Sequence, residues 1–223
     1  MITISCNEMK AMDSYAIENI CIPSIVLMEN AAIKVINNID LDKTTNFTVI
    51  CGVGNNGGDG LAIARHLILN EKKVDIFIIG NLDKGTKDFN INLNILKNME
   101  IKFININNSE MELETLKKSL LKNDLTIDSI FGIGLTREVG GIFKEVISFI
   151  NNYSSNILSV DIPSGLDGDN GNVLGISVKA NKTVSFHLMK KGLLKGKDYA
   201  GEIIVEPIGI PEKATISILK REQ

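Results

Sequence analysis

Cysteine is scarce in this 223-residue chain: Cys6, Cys21 and Cys51 are an odd number with no CxxC pair. That excludes a disulfide framework and offers no zinc site. Reduced thiols of this kind are expected of a cytoplasmic protein. Positive charge is not in excess, since 24 Lys and Arg stand against 27 Asp and Glu for a net charge of −3. A nucleic-acid backbone therefore has no electrostatic footprint here. Apolar runs are too short to span a bilayer. The opening MITISCNEMKAMD lacks the basic and apolar blocks of a signal peptide. Repeats, low-complexity tracts and Pro/Gly/Ser linkers are missing too, so one domain over residues 1–223 is expected.

What is present is ordinary globular composition, 44% hydrophobic and 23% charged. Short apolar runs alternate with amphipathic stretches. Met9–Ile20, Ser24–Asn38, Gly57–Asn70, Thr86–Asn98, Glu110–Leu121 and Ile142–Asn151 carry helical spacing. Asn46–Cys51, Val74–Ile79, Ile101–Ile106, Leu125–Phe131, Ile157–Val160, Lys182–Phe186 and Glu202–Val205 read as strands. Continuous apolar strands between helices imply a three-layer αβα, Rossmann-like sandwich with a mostly parallel central sheet. Ligands in such sheets bind beyond the carboxyl ends of the strands. Three strand ends are unusual.

The first is GVGNNGGDG, five glycines in nine residues from Gly52 to Gly60. Missing Cβ atoms allow close backbone approach and positive φ. The helix that follows offers free N–H groups and a positive dipole end to a pyrophosphate. Gly52, Gly54 and Gly57 match G-x-G-x-x-G literally. The acid that should meet the ribose about 20 residues later is poorly matched. Asp75 is too early and Asp83 is late, after a turn. Asp59 either complements the helix start, meets substrate hydroxyls or orients the loop amides.

The second is IDSIFGIGLTREVGG. Asp128 lies inside an apolar run, where a carboxylate must be paired or bind a cation. Gly132 and Gly134 give another close-approach turn. Arg137 either forks onto a phosphate or is a surface residue. The third is LSVDIPSGLDGDNG. Asp161 falls at a strand's carboxyl end, with Ser164 just beyond it. Asp161 either caps the turn or faces a ligand. Asp167, Asp169 and Asn170 fail the calcium-loop pattern, because Val178 stands where the closing Glu belongs; they read as a polar surface turn.

NNGGDGLAIARHL resembles the signature of the NAD(P)H-hydrate epimerases, the YjeF N-terminal domain family. IPSIVLMENAA, the Asp128 segment, DIPSG and TVSFHLMKKGLL match further family segments in order. The resemblance implies an enzyme that interconverts the R and S epimers of hydrated NADH or NADPH. It implies substrate contacts at Asn55, Asn56, Gly57, Gly58 and Asp59, at Gly132, Ile133, Gly134, Leu135, Thr136, Arg137 and Glu138, and at Asp161, with Asp161 also the catalytic group. It implies a potassium ion on Asn56, Asp128 and Ser164. One carboxylate with neutral oxygens suits a monovalent cation. Lys190 stands where the family usually has Lys, and His187 reads as a packed or surface residue. A homodimer and a separate dehydratase as functional partner are implied as well. The chain either acts alone or corresponds to the front half of a fused epimerase–dehydratase. Two other readings are a non-catalytic binding or scaffold module of this fold and an ordinary NAD(P)-dependent oxidoreductase.

Overall fold

The computed structural model describes residues 2–107 and 110–220. Seven parallel strands form the central sheet in the order β4-β3-β2-β5-β6-β7-β9. They are β2 (Asn46–Cys51), β3 (Lys73–Ile79), β4 (Ile104–Ile106), β5 (Leu125–Ser129), β6 (Ile157–Val160), β7 (Lys182–Phe186) and β9 (Glu202–Glu206). The chain runs outward from β2 to β4, then returns to β5 on the other side of β2. Strand order thus reverses between β2 and β5, which opens a crevice at their carboxyl ends.

Helices cover both faces. Apolar side chains of α1 (Cys6–Ser14), α2 (Ser24–Asn37), α3 (Asn55–Leu69) and α4 (Lys87–Asn98) pack with Phe47, Val49 and Cys51 of β2 on one face. On the other, α5 (Glu110–Lys122) and α6 (Gly141–Tyr153) pack with Ile50 of β2 and Phe77 of β3. Alternate residues of each strand thus feed two separate cores, so the strands read as unbroken apolar runs. The expected three-layer α/β architecture is the one observed.

Several boundaries differ from expectation. α1 begins at Cys6 because Ser5 and Glu8 form a capping box, and its pattern continues into a π-helical turn, Tyr15–Asn19. α3 begins at Asn55, so both asparagines belong to its first turn. β4 and β5 are shorter than the apolar runs that contain them. A two-stranded parallel pair, β1 (Thr3–Ile4) with β8 (Met189–Lys190), lies outside the main sheet. With α7 (Lys191–Lys195), α8 (Lys197–Ala200) and α9 (Glu212–Leu219), it is too short to show a periodicity. Asp169, in the expected surface turn, accepts a 2.7 Å hydrogen bond from the Cys6 N–H and so ties that turn to the start of α1. No helix among the described residues is long and apolar enough to cross a membrane.

Candidate active site

The glycine turn after β2 is built for packing as much as for a ligand. A Cβ on Gly52 would collide with the Ile130 carbonyl, and one on Gly57 with the Gly52 carbonyl. Gly58 faces Met28 and Phe89. Gly54, like Gly134 beyond β5, meets nothing within 4 Å. None of the glycines from Gly52 to Gly60 has positive φ. Gly52 and Gly57 serve close approach of backbone to backbone, which seats α3 against the end of β5. No side chain caps α3 at Gly54, so its first-turn N–H groups remain for a ligand.

A cavity of about 650 Å³ opens over this turn. Its walls include Asn55, Asn56, Asp59, the segment Gly132–Arg137 and Asp161. Gly57, Gly58 and Glu138 do not line it. Residues that no sequence motif singled out do: Asp13 from α1, and Thr86 and Asp88 at the start of α4; Lys190 from β8, noted from the family likeness alone, joins them.

Asp161 closes the end of β6 in left-handed backbone, φ 67°. Aspartate tolerates this region better than most residues, yet the conformation is costly and must be held by its surroundings. Its N–H donates to the Val184 carbonyl at 2.8 Å. Its Oδ1 accepts from Lys190 Nζ at 2.5 Å and from the Phe186 N–H at 3.1 Å. Lys190 is fully buried. Its ammonium also donates to Ser185 Oγ at 3.1 Å and to the Phe186 carbonyl at 2.7 Å, so all three donors are used. Asp161 Oδ2 makes no hydrogen bond among the described residues, and the residue lines the cavity.

Asp59 makes no side-chain hydrogen bond among the described residues either, so it does not orient the loop amides. Burial drives its carboxyl well above the usual carboxylate range, helped by the charges of Asp161, Asp13 and Asp88 and opposed by Lys190. Burial, then the Asp161 charge, also pushes Asp13 up. Three polar atoms at or near the cavity are buried without a partner among the described residues: Asn56 Nδ2, Thr86 Oγ1 and Asp88 Oδ1. Such groups are costly to leave unmet, and a polar ligand in the cavity would meet them.

Asp128 and Ser164 sit fully buried beneath the floor. Asp128 Oδ2 accepts from Ser159 Oγ at 2.7 Å and from the Ser164 N–H at 2.9 Å. Its Oδ1 accepts from Ser164 Oγ at 2.5 Å. Ser164 Oγ is also 3.3 Å from the Phe131 carbonyl. Asn56 joins this group from α3: its carbonyl accepts from Ser129 Oγ, and its side chain packs under Gly132. Three strand ends thus bring together a carboxylate, a hydroxyl, an amide and a carbonyl. Asp128 has no cationic partner among the described residues. A hard monovalent cation fits this oxygen-rich set, and would compensate a carboxylate that burial alone pushes upward.

Comparisons with known proteins show the family. A family model described as "YjeF-related protein N-terminus" matches residues 24–192. A protein of Anaerococcus prevotii named NAD(P)H-hydrate epimerase is 44% identical, with 98% of this chain and 100% of that protein covered. A protein of Oenococcus oeni with the same name is 38% identical over 95% of this chain and 98% of its own. A Moorella thermoacetica protein named bifunctional NAD(P)H-hydrate repair enzyme Nnr is 36% identical, covering 96% of this chain but 41% of its own length. The crystal structure of the yeast protein ynu0 superimposes with a TM-score of 0.74 at 22% identity, covering 93% of this chain and 88% of that one. The sheet order, the glycine turn that opens α3 and these matches together place the chain in the YjeF N-terminal family.

Proposed function

We propose that this protein is an NAD(P)H-hydrate epimerase, acting on the reduced nicotinamide cofactor that carries a hydroxyl on the ring carbon next to nitrogen. One observation carries the reading: Asp161, held in strained backbone and anchored by a buried lysine, lines a cavity over the start of α3 with one oxygen free of hydrogen bonds among the described residues. The relatives' shared name supports it.

The chemistry needs a proton for the departing hydroxyl and a counter-charge for the ring cation left behind. Asp59 supplies the proton: it lines the cavity, and burial with the neighbouring acids pushes its carboxyl above the usual carboxylate range. The ring C–O bond breaks, water leaves, and the ring nitrogen's lone pair forms the C=N bond. Asp161, as the carboxylate of its ion pair, stabilises the cation. Water then adds to the other face and its proton returns to Asp59. Electrons and atoms balance without an oxidant. The first-turn amides of α3 and Gly132–Arg137 hold the pyrophosphate and its neighbours. Asn56, Asp128 and Ser164 would hold a potassium ion, which supplies fixed positive charge beneath the two glycine turns.

A dehydratase that consumes one epimer is the functional partner this reading calls for, and a homodimer and a cytoplasmic setting belong to it. Free Cys6, Cys21 and Cys51 accord with that setting. The test follows exchange between resolved epimers of hydrated NADPH by NMR. Asp161→Asn should slow exchange by about 10²–10⁴-fold with folding intact. Near-normal exchange would remove Asp161 from this role, and no exchange by the unaltered protein would favour a binding module.

A further inference from the structure

The cavity around Asp161 uses the carboxyl ends of β2, β5 and β6. A second depression of about 470 Å³ lies at the carboxyl ends of β3 and β4. Asn81, Asp83, Asn105 and Asn107 give it polar groups, and Leu82 and Ile142 give it apolar walls. The two spaces are neighbours. A Cβ built on Gly80, in the second depression, would stand 3.5 Å from Val53 and 3.7 Å from Phe143, both of which line the first cavity.

The spacing suits one elongated ligand. From β6, which presents Asp161, to β3 and β4 is three to four strand spacings, roughly 14–19 Å. The midpoint is the start of α3, where a pyrophosphate sits best. A dinucleotide crossing the switch point would therefore put its nicotinamide end beside Asp161 and its other nucleoside over β3 and β4.

The lining then sets selectivity. It contains three amides and one carboxylate but no lysine or arginine. Asp83 takes part in no ion pair among the described residues; its N–H is turned to Asn81 Oδ1 at 2.9 Å. Lys84 and Lys87 follow in sequence and are exposed, yet neither lines the depression. An unpaired carboxylate accepts hydrogen bonds from a ribose diol and repels a phosphate on the same sugar.

We infer that this depression takes the adenosine end of the substrate, and that Asp83 favours the hydrate of NADH over that of NADPH. The inference rests on the epimerase reading, so its test has two arms. In the first, 5′-AMP and its 2′-phosphorylated form are titrated into isotope-labelled protein. The amides of residues 80–83 and 105–107 should move with 5′-AMP, and the 2′-phosphate should weaken binding about tenfold. In the second, kcat/KM should be about tenfold higher for hydrated NADH. Asp83→Asn should narrow both gaps, lowering kcat/KM for hydrated NADH and raising it for hydrated NADPH. Equal binding of the two nucleotides, or amide shifts confined to other segments, overturns the subsite. Preference for hydrated NADPH overturns the role of Asp83. Discrimination between the nucleotides with neither hydrate epimerised sinks the function and leaves the subsite standing.

Discussion

At the scale of single residues the site depends on a lysine with no motif of its own. Asp161 was legible in the sequence because an acid at a strand's carboxyl end stands out. Lys190 was not: among 24 cationic residues nothing local separates one buried ammonium from the solvated rest, and only family likeness pointed to it. Its burial is set by β8 pairing with the start of the chain, a contact across some 185 residues. Lys190→Met removes one member of a buried pair and leaves the Asp161 carboxylate without its counter-charge. We expect a loss of roughly 3 kcal/mol in denaturant unfolding. Adding Asp161→Asn to that variant should restore part of it, because the stranded charge is gone. A double variant no more stable than Lys190→Met alone would show that the two groups are not coupled. Asp59 was visible as a residue, but the upward push on its carboxyl was not, since burial and three neighbouring acids arise only from the fold.

Among the elements, α3 is the most informative. Its glycine turn was legible, whereas the division of labour within it was not. Sequence gives the number of missing Cβ atoms; only the packed turn shows that Gly52 and Gly57 face backbone while Gly54 faces open space. Gly57→Ala should therefore cost roughly 3 kcal/mol, the upper end of overpacking, since the colliding atom is a carbonyl that cannot swing aside. Gly54→Ala should change stability by no more than about 0.5 kcal/mol while weakening substrate binding. Thermal unfolding of both variants beside KM for each checks the contrast, and equal destabilisation would refute it. Helix and strand types were read from periodicity, which is robust over long segments. Ends slipped where caps or short registers decide them, as at Ser5 and at β4.

For the molecule as a whole, acids tie stability to pH in both directions. Asp124 accepts from the N–H groups of Thr45 and Asn46, which lower its pKa to about 2. Its contribution is present above the ordinary aspartate range and is lost as pH falls toward 2; exposure to solvent keeps it small. Asp59 and Asp13 act oppositely. Their folded-state values are raised, so their contribution is complete at low pH and is lost as pH rises through those values. Urea unfolding across a pH series should show stability declining on the alkaline side of the ordinary carboxylate range. Asp59→Asn should flatten that decline, and epimerisation in the unaltered protein should fade over the same interval. An unchanged slope in the variant would contradict the protonated state assigned to Asp59. The overall architecture was readable because alternating apolar runs leave few topologies open, whereas which distant segments share a wall was not. The pairing of Ile4 with Lys190 has a practical consequence. Clipping the chain just after its fifth residue would unzip the shelf that carries the ammonium group. Such a trimmed protein should keep its far-ultraviolet spectrum yet turn over poorly, so mass spectrometry of the amino end belongs beside any activity measurement.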